Sequence, residues 1–204
     1  MIKKEIFRKP TYIARSFGAV LIMVFFCCGL SPVLNAGDLA GGAPVAIEEK
    51  DERAGWRNKP GEYIKNTPGT GLKSKITVLP DGSRRTAERQ VSDAPTIVLV
   101  GCSYTNGYGL SDDETFAWKL QDSLPEERIV NYGVGGYGTY QSYLLLQNIF
   151  AKYSPKTVIY GLCDFHEARN IAREDWVKIL VEYSASGKVE LPYCSLGNDF
   201  EISE

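Results

Sequence analysis

The most constraining feature of this chain is a pattern that recurs three times: a short apolar run breaks off in a small or polar turn, and a helical period follows. Thr96–Val100 runs into Gly101-Cys102-Ser103. Arg128–Tyr132 runs into Gly133-Val134-Gly135-Gly136-Tyr137-Gly138. Thr157–Leu162 runs into Cys163-Asp164. Between them, Asp112–Leu124 carries Phe116, Leu120 and Leu124 four apart, with acidic residues in its first turn. Thr139 can cap a second helix with Tyr140, Tyr143, Leu144, Gln147 and Phe150 in register, stopped by Pro155. Glu174–Tyr183 spaces Trp176, Ile179, Leu180 and Tyr183 as an amphipathic helix does. Strands alternating with helices predict a parallel sheet flanked by helices, an α/β fold.

The run Thr96–Val100 is uncharged and rich in β-branched residues, as a strand covered on both faces requires. In open α/β sheets ligands bind at the carboxyl edge. A strand ending there in Gly-Cys-Ser presents a hydroxyl at that edge, so Ser103 is the candidate nucleophile. The competing role for Ser103 is a cap on the following turn or helix.

The amino end reads differently. Lys3, Lys4, Arg8, Lys9 and Arg15 precede an uncharged run, Ser16 to Leu34, and Ala36 follows as a small residue. Residues 1–36 therefore read as a secretory signal peptide or an uncleaved membrane anchor, the run being about as long as a bilayer span of ~20 residues needs. Either implies export, to a periplasmic or extracellular location. Of the five cysteines, Cys27 and Cys28 fall in the run, leaving Cys102, Cys163 and Cys194. In an oxidising compartment, one pair and one thiol is an option. Cys102 and Cys163 both end strands, and either a disulfide between them or two small buried thiols would fit there.

Residues 37–75 are rich in Gly, Pro and charge and read as a linker or irregular segment. Pro80-Asp81-Gly82-Ser83 is a turn signature, and a hairpin is expected from about Ile76 to Ala87, with Arg84, Arg85 and Arg89 on a solvated face. The α/β domain is expected over 76–204, and Ser184–Glu204 has no clear element. A net charge of −2 gives no basis for nucleic acid as a partner.

Gly133–Gly138 fits the dinucleotide pattern G-x-G-x-x-G, but it follows the second strand rather than the first, and Asp164 lies beyond the usual acidic position. The three strand ends taken together carry a different resemblance. Gly101-Cys102-Ser103-Tyr104-Thr105-Asn106-Gly107 resembles the G-D-S-x-T-x-G block of the GDSL/SGNH hydrolases. Asn131-Tyr132-Gly133-Val134-Gly135-Gly136 resembles their N-x-G-x-x-G block, and Gly161-Leu162-Cys163-Asp164 stands where G-x-N-D would fall. The resemblance spans about Ile76 to Asn170. It implies a flavodoxin-like three-layer α/β/α fold, incomplete at the carboxyl end. It also implies Ser103 as nucleophile, the Ser103 and Gly136 amides as oxyanion donors, and hydrolysis of esters, or acyl transfer on the same site. The substrate class it implies is a small-molecule, carbohydrate or lipid ester.

The chain departs from the family pattern at Cys102 for Asp and at Cys163 for the oxyanion Asn, a thiol being a far weaker donor than an amide. The family's D-x-x-H block is not found in the sequence. A serine is a weak nucleophile without an adjacent base, and His166 is the one histidine on offer. Arg169 and Asn170 are further residues expected to line the cleft. No cofactor and no metal are assigned. A module that binds an acylated ligand without catalysis, and a nucleotide-binding fold, are the other functional readings.

Overall fold

The structure is a computed structural model that describes residues 21–26, 47–67, 71–89, 94–183, 189–192, 195–196 and 202–203. Its strands, in chain order, are β1 (Leu21–Phe26), β2 (Glu48–Asp51), β3 (Gly55–Asn58), β4 (Gly61–Asn66), β5 (Lys73–Val78), β6 (Thr96–Gly101), β7 (Arg128–Gly133), β8 (Thr157–Leu162), β9 (Ser195–Leu196) and β10 (Ile202–Ser203). Its α-helices are α1 (Ser103–Asn106), α2 (Phe116–Ser123), α3 (Thr139–Tyr153), α4 (His166–Asn170) and α5 (Glu174–Tyr183).

Four strands make a parallel sheet in the order β1-β8-β6-β7. Every residue of β6 is buried, as its uncharged run requires. Because successive strand side chains point to opposite faces, β6 feeds two cores. Ile97 and Leu99 join Ile129 of β7 against Ala117 and Leu120 of α2. Val98 and Val100 join Val130, Tyr132 and Val158 against Leu145, Ile149 and Phe150 of α3. The chain steps from β6 to β7 on one side, then crosses to β8 on the other. The two crossovers run in opposite directions from β6, and α2 and α3 pack on opposite faces of it.

Local chemistry adjusts the expected helices. The segment 112–124 divides into a 3-10 turn (Asp112–Glu114) and α2, because Thr115 is extended and accepts from the Trp118 amide with its side chain. Gly138, rather than Thr139, is the residue before α3, and Ser154 ends α3 in the left-handed region just ahead of Pro155.

Three expectations for the first half of the chain need correction. Residues 37–75 are not an irregular linker throughout: 47–66 forms β2 paired with β3, and β4 paired with β5. These strands are short and mostly half-exposed, so their alternation is weak in the sequence. The turn at Pro80–Ser83 is present, with Leu79 N donating to the Ser83 carbonyl and Gly82 at positive φ. Beyond it, Arg84 makes isolated antiparallel bridges to Val78 and to Asn131 rather than a paired strand, and the main partner of β5 is the preceding β4. Arg84 is not solvated but fully buried.

Within the apolar run read as signal or anchor, Leu21–Phe26 is β1, aligned with β8 from Leu21↔Thr157 to Phe26↔Leu162. Six uncharged apolar residues suit a parallel strand as well as an export segment. No helix among the described residues is long and apolar enough to cross a membrane. The rest of that run, Ala36, Cys27, Cys28 and Cys194 lie outside the described residues.

Candidate functional site

The carboxyl ends of β6, β7 and β8 bring the three sequence blocks to one edge of the sheet. At the first, β6 ends in Gly101 with φ +149°. A Cβ there would sit 2.3 Å from Thr105 Oγ1 and 3.0 Å from the Gly161 carbonyl, so only glycine fits. Cys102 follows in extended conformation, and half-buried Ser103 opens α1. The Ser103 carbonyl accepts from the Gly107 and Tyr108 amides, which closes the loop behind it. No hydrogen bond reaches the Ser103 hydroxyl from any described residue.

The second block is held by amides. Asn131 Nδ2 donates to the Thr105 carbonyl at 2.9 Å, and its Oδ1 accepts from Gly133 N at 2.9 Å. The Gly133 carbonyl accepts from Asn106 Nδ2 at 2.8 Å and from Asn58 Nδ2 at 3.0 Å. Gly133 packs so closely on α1 that a Cβ would lie 2.3 Å from Asn106 N. Beyond it, Gly136 takes φ +82°, and Trp56 anchors the loop by donating from Nε1 to the Gly135 carbonyl at 2.8 Å. Neither the Ser103 amide nor the Gly136 amide donates to a described acceptor.

At the third strand end, Cys163 and His166 are buried. The Cys102 and Cys163 sulfurs stand 3.8 Å apart, and both thiols are reduced. Their ligand atoms and that of His166 lie within 4.8 Å of one another. His166 Nδ1 is 2.7 Å from Tyr160 Oη, and Tyr160 donates to Thr139 Oγ1 at 2.7 Å. Nδ1 also accepts from the Cys163 amide at 3.5 Å. Burial, and then the charge of Arg169, push the imidazole pKa down to about 4, so the ring is neutral at neutral pH. Burial pushes Tyr160 up to about 12.

The sequence-selected residues thus share an edge but not a hydrogen-bonded dyad. His166 Nε2 is buried with no partner among the described residues, and no bond joins it to Ser103. Arg169 and Asn170 fasten α4 to the glycine loop: Arg169 donates to the Tyr137 carbonyl at 3.0 Å, and Asn170 Oδ1 accepts from Tyr140 N at 3.0 Å. The Arg169 guanidinium also stacks between the rings of Phe165 and Trp176. A cavity of about 160 Å³, lined in part by Asp51, Arg53, Leu144 and Ile149, lies on the α3 side, and none of Ser103, Gly136, Cys163 or His166 lines it.

Sequence reasoning did not find Arg84, whose guanidinium fastens the Ser103 loop from beneath. It donates to the Asn106 and Gly107 carbonyls at 2.8 Å each and to Leu110 at 2.6 Å. The available signal was its place directly after a Pro-Asp-Gly-Ser turn, which returns the chain toward the domain.

No protein-family model and no curated protein matches the chain. Two solved structures of the esterase AlinE4 resemble it, one described as an SGNH-hydrolase family esterase and the other a single-residue mutant. Each shows 23% identity and a TM-score of 0.35 over 46% of this chain and 52% of theirs. The chain therefore spans about half the length of those structures.

Proposed function

We propose that this chain carries the nucleophile half of an SGNH-type ester hydrolase of three-layer α/β/α architecture. Ser103 attacks the ester carbonyl, and the Ser103 and Gly136 amides receive the oxyanion. The observation that carries this reading is the convergence of three strand ends. They set a half-exposed serine and a left-handed glycine loop, both with uncommitted amides, at one sheet edge. Backbone donors aimed at a developing oxyanion are worth about 10²–10³ in rate each, and Cys163 in place of a carboxamide forgoes one of them. The substrate class is an acyl or acetyl ester of a carbohydrate or lipid, met outside the cytoplasm.

A second reading is favoured by the bonding of His166. Its Nδ1 is engaged with Tyr160 rather than Ser103, so the same cleft would bind an acylated ligand without turning it over. One experiment separates the two. The full chain is incubated with a short-chain chromogenic ester and a serine-reactive phosphonate, beside Ser103→Ala. Hydrolysis requires labelling and turnover that vanish in the variant. A folded chain that does neither, yet is stabilised by a non-hydrolysable ester analogue, is a binding module.

A further inference from the structure

Cys102, Cys163 and His166 form a buried constellation that neither the hydrolase nor the binding reading uses. We propose that it is a three-ligand site for a thiophilic divalent cation of the zinc class, with two thiolates and the His166 imidazole as ligands. The site does not rest on the hydrolase reading.

Four observations carry it. First, two thiolates bound at ~2.3 Å to one tetrahedral ion stand about 3.8 Å apart, and the two sulfurs here are 3.8 Å apart. A disulfide, with S–S of about 2.05 Å, would need them to close by more than 1.5 Å. Second, all three side chains are at least 98% buried, and their ligand atoms lie within 4.8 Å of one another. Third, His166 Nδ1 lies 2.7 Å from the Tyr160 hydroxyl, which donates to Thr139, and Nε2 is buried with no partner among the described residues. A buried polar nitrogen left without a partner is costly unless something fills it. Fourth, the Arg169 guanidinium lies near enough to Cys102 and Cys163 to interact with both electrostatically, and would offset the charge of a thiolate pair.

The ligand set selects the ion by chemistry: two soft sulfurs and an imidazole favour Zn²⁺ and Co²⁺ over Mg²⁺ and Ca²⁺. On binding, each thiol gives its proton to solvent and the ion takes the two sulfur lone pairs and the imidazole lone pair, with no redox change. Three protein ligands leave a fourth position for water or another donor.

The test uses the full chain carrying Cys27→Ser, Cys28→Ser and Cys194→Ser, so that these other sulfurs cannot contribute. The reduced, metal-stripped protein is titrated with Co²⁺ and then with Zn²⁺. The expected result is one equivalent bound with thiolate-to-cobalt charge-transfer absorption, bleached by Zn²⁺ and untouched by Mg²⁺. Cys163→Ser and His166→Gln should each weaken binding at least tenfold. Should those variants misfold, X-ray absorption of the zinc-loaded parent decides: two sulfurs and at least one nitrogen support the site. Absence of the charge-transfer band in a folded, reduced sample would overturn it, as would a first shell without sulfur. Recovery of the unreduced parent with Cys102 and Cys163 as a disulfide would also overturn it.

Discussion

Arg84 and Asp112 form an ion pair 3.0 Å apart with essentially no exposure on the arginine side. Asp112 Oδ1 also accepts from the Thr77 amide at 3.1 Å, so the pair ties β5 to the loop behind Ser103. Removing one member strands a buried charge, which typically costs 3–5 kcal/mol. Arg84→Ala should therefore lose about that much stability in urea unfolding. Arg84→Met combined with Asp112→Leu should lose clearly less, because neither charge is left uncompensated. Equal losses in the two proteins would show that the three carbonyl contacts, not the ion pair, set the cost.

Gly133 predicts a contrast between two glycines. A Cβ at Gly133 would meet backbone atoms of α1 at 2.3 and 2.7 Å, which cannot move without displacing Asn106. A Cβ at Gly71 would meet nothing within 4 Å, although φ is +69°. Gly71→Ala should cost about 1 kcal/mol from the left-handed backbone alone. Gly133→Ala should cost well above that in a thermal melt, with weaker amide-exchange protection across Thr105–Gly107.

Asp81 sets an acid limb. Burial alone would raise its pKa. Hydrogen bonds from Ser83 and Tyr153, and the charge of Lys152, overcome burial and hold it below the usual carboxylate range. A carboxylate with a depressed folded pKa stabilises the fold above its unfolded pKa of ~3.9 and loses that contribution as pH falls further. Stability should therefore decline below about pH 4. Asp81→Asn should be less stable at neutral pH and show a flatter decline in the same range. Matching slopes for the two proteins would remove Asp81 from the account.

Trp56 holds the glycine loop through one hydrogen bond to Gly135. Its ring also comes within 3.0 Å of where a Gly136 Cβ would be. Trp56→Phe should cost about 1 kcal/mol, the worth of a net hydrogen bond. On the hydrolase reading it should also slow phosphonate labelling of Ser103 while leaving Ser103 exposure unchanged. Unchanged labelling would mean that Gly136 keeps its place without the indole.

Most of the sheet was legible because β6, β7 and β8 are short apolar runs with abrupt ends, and α2, α3 and α5 are long enough to show a period. α1 and α4, at four and five residues, are too short to show one. The sequence was legible to the level of an edge: Ser103, Gly136, Cys163 and His166 each follow the carboxyl end of a parallel strand. Side-chain commitments were not. Nothing in the sequence says that His166 spends Nδ1 on Tyr160, or that Arg84 is buried while its neighbour Arg85 is half-exposed. Burial of a charge depends on acceptors 22–28 residues away, which no local pattern encodes.

The pairing of β1 with β8 links the fate of the amino end to the behaviour of the sheet in solution. Were the chain cleaved after Ala36, Leu21–Phe26 would leave with the amino-terminal segment, and the outer row of N–H and C=O groups along Thr157–Leu162 would lose its partner. A bare, half-buried parallel edge is a template for pairing with another chain. Cleavage there would therefore turn a covered edge into an adhesive one, open to another strand, its own or a neighbour's.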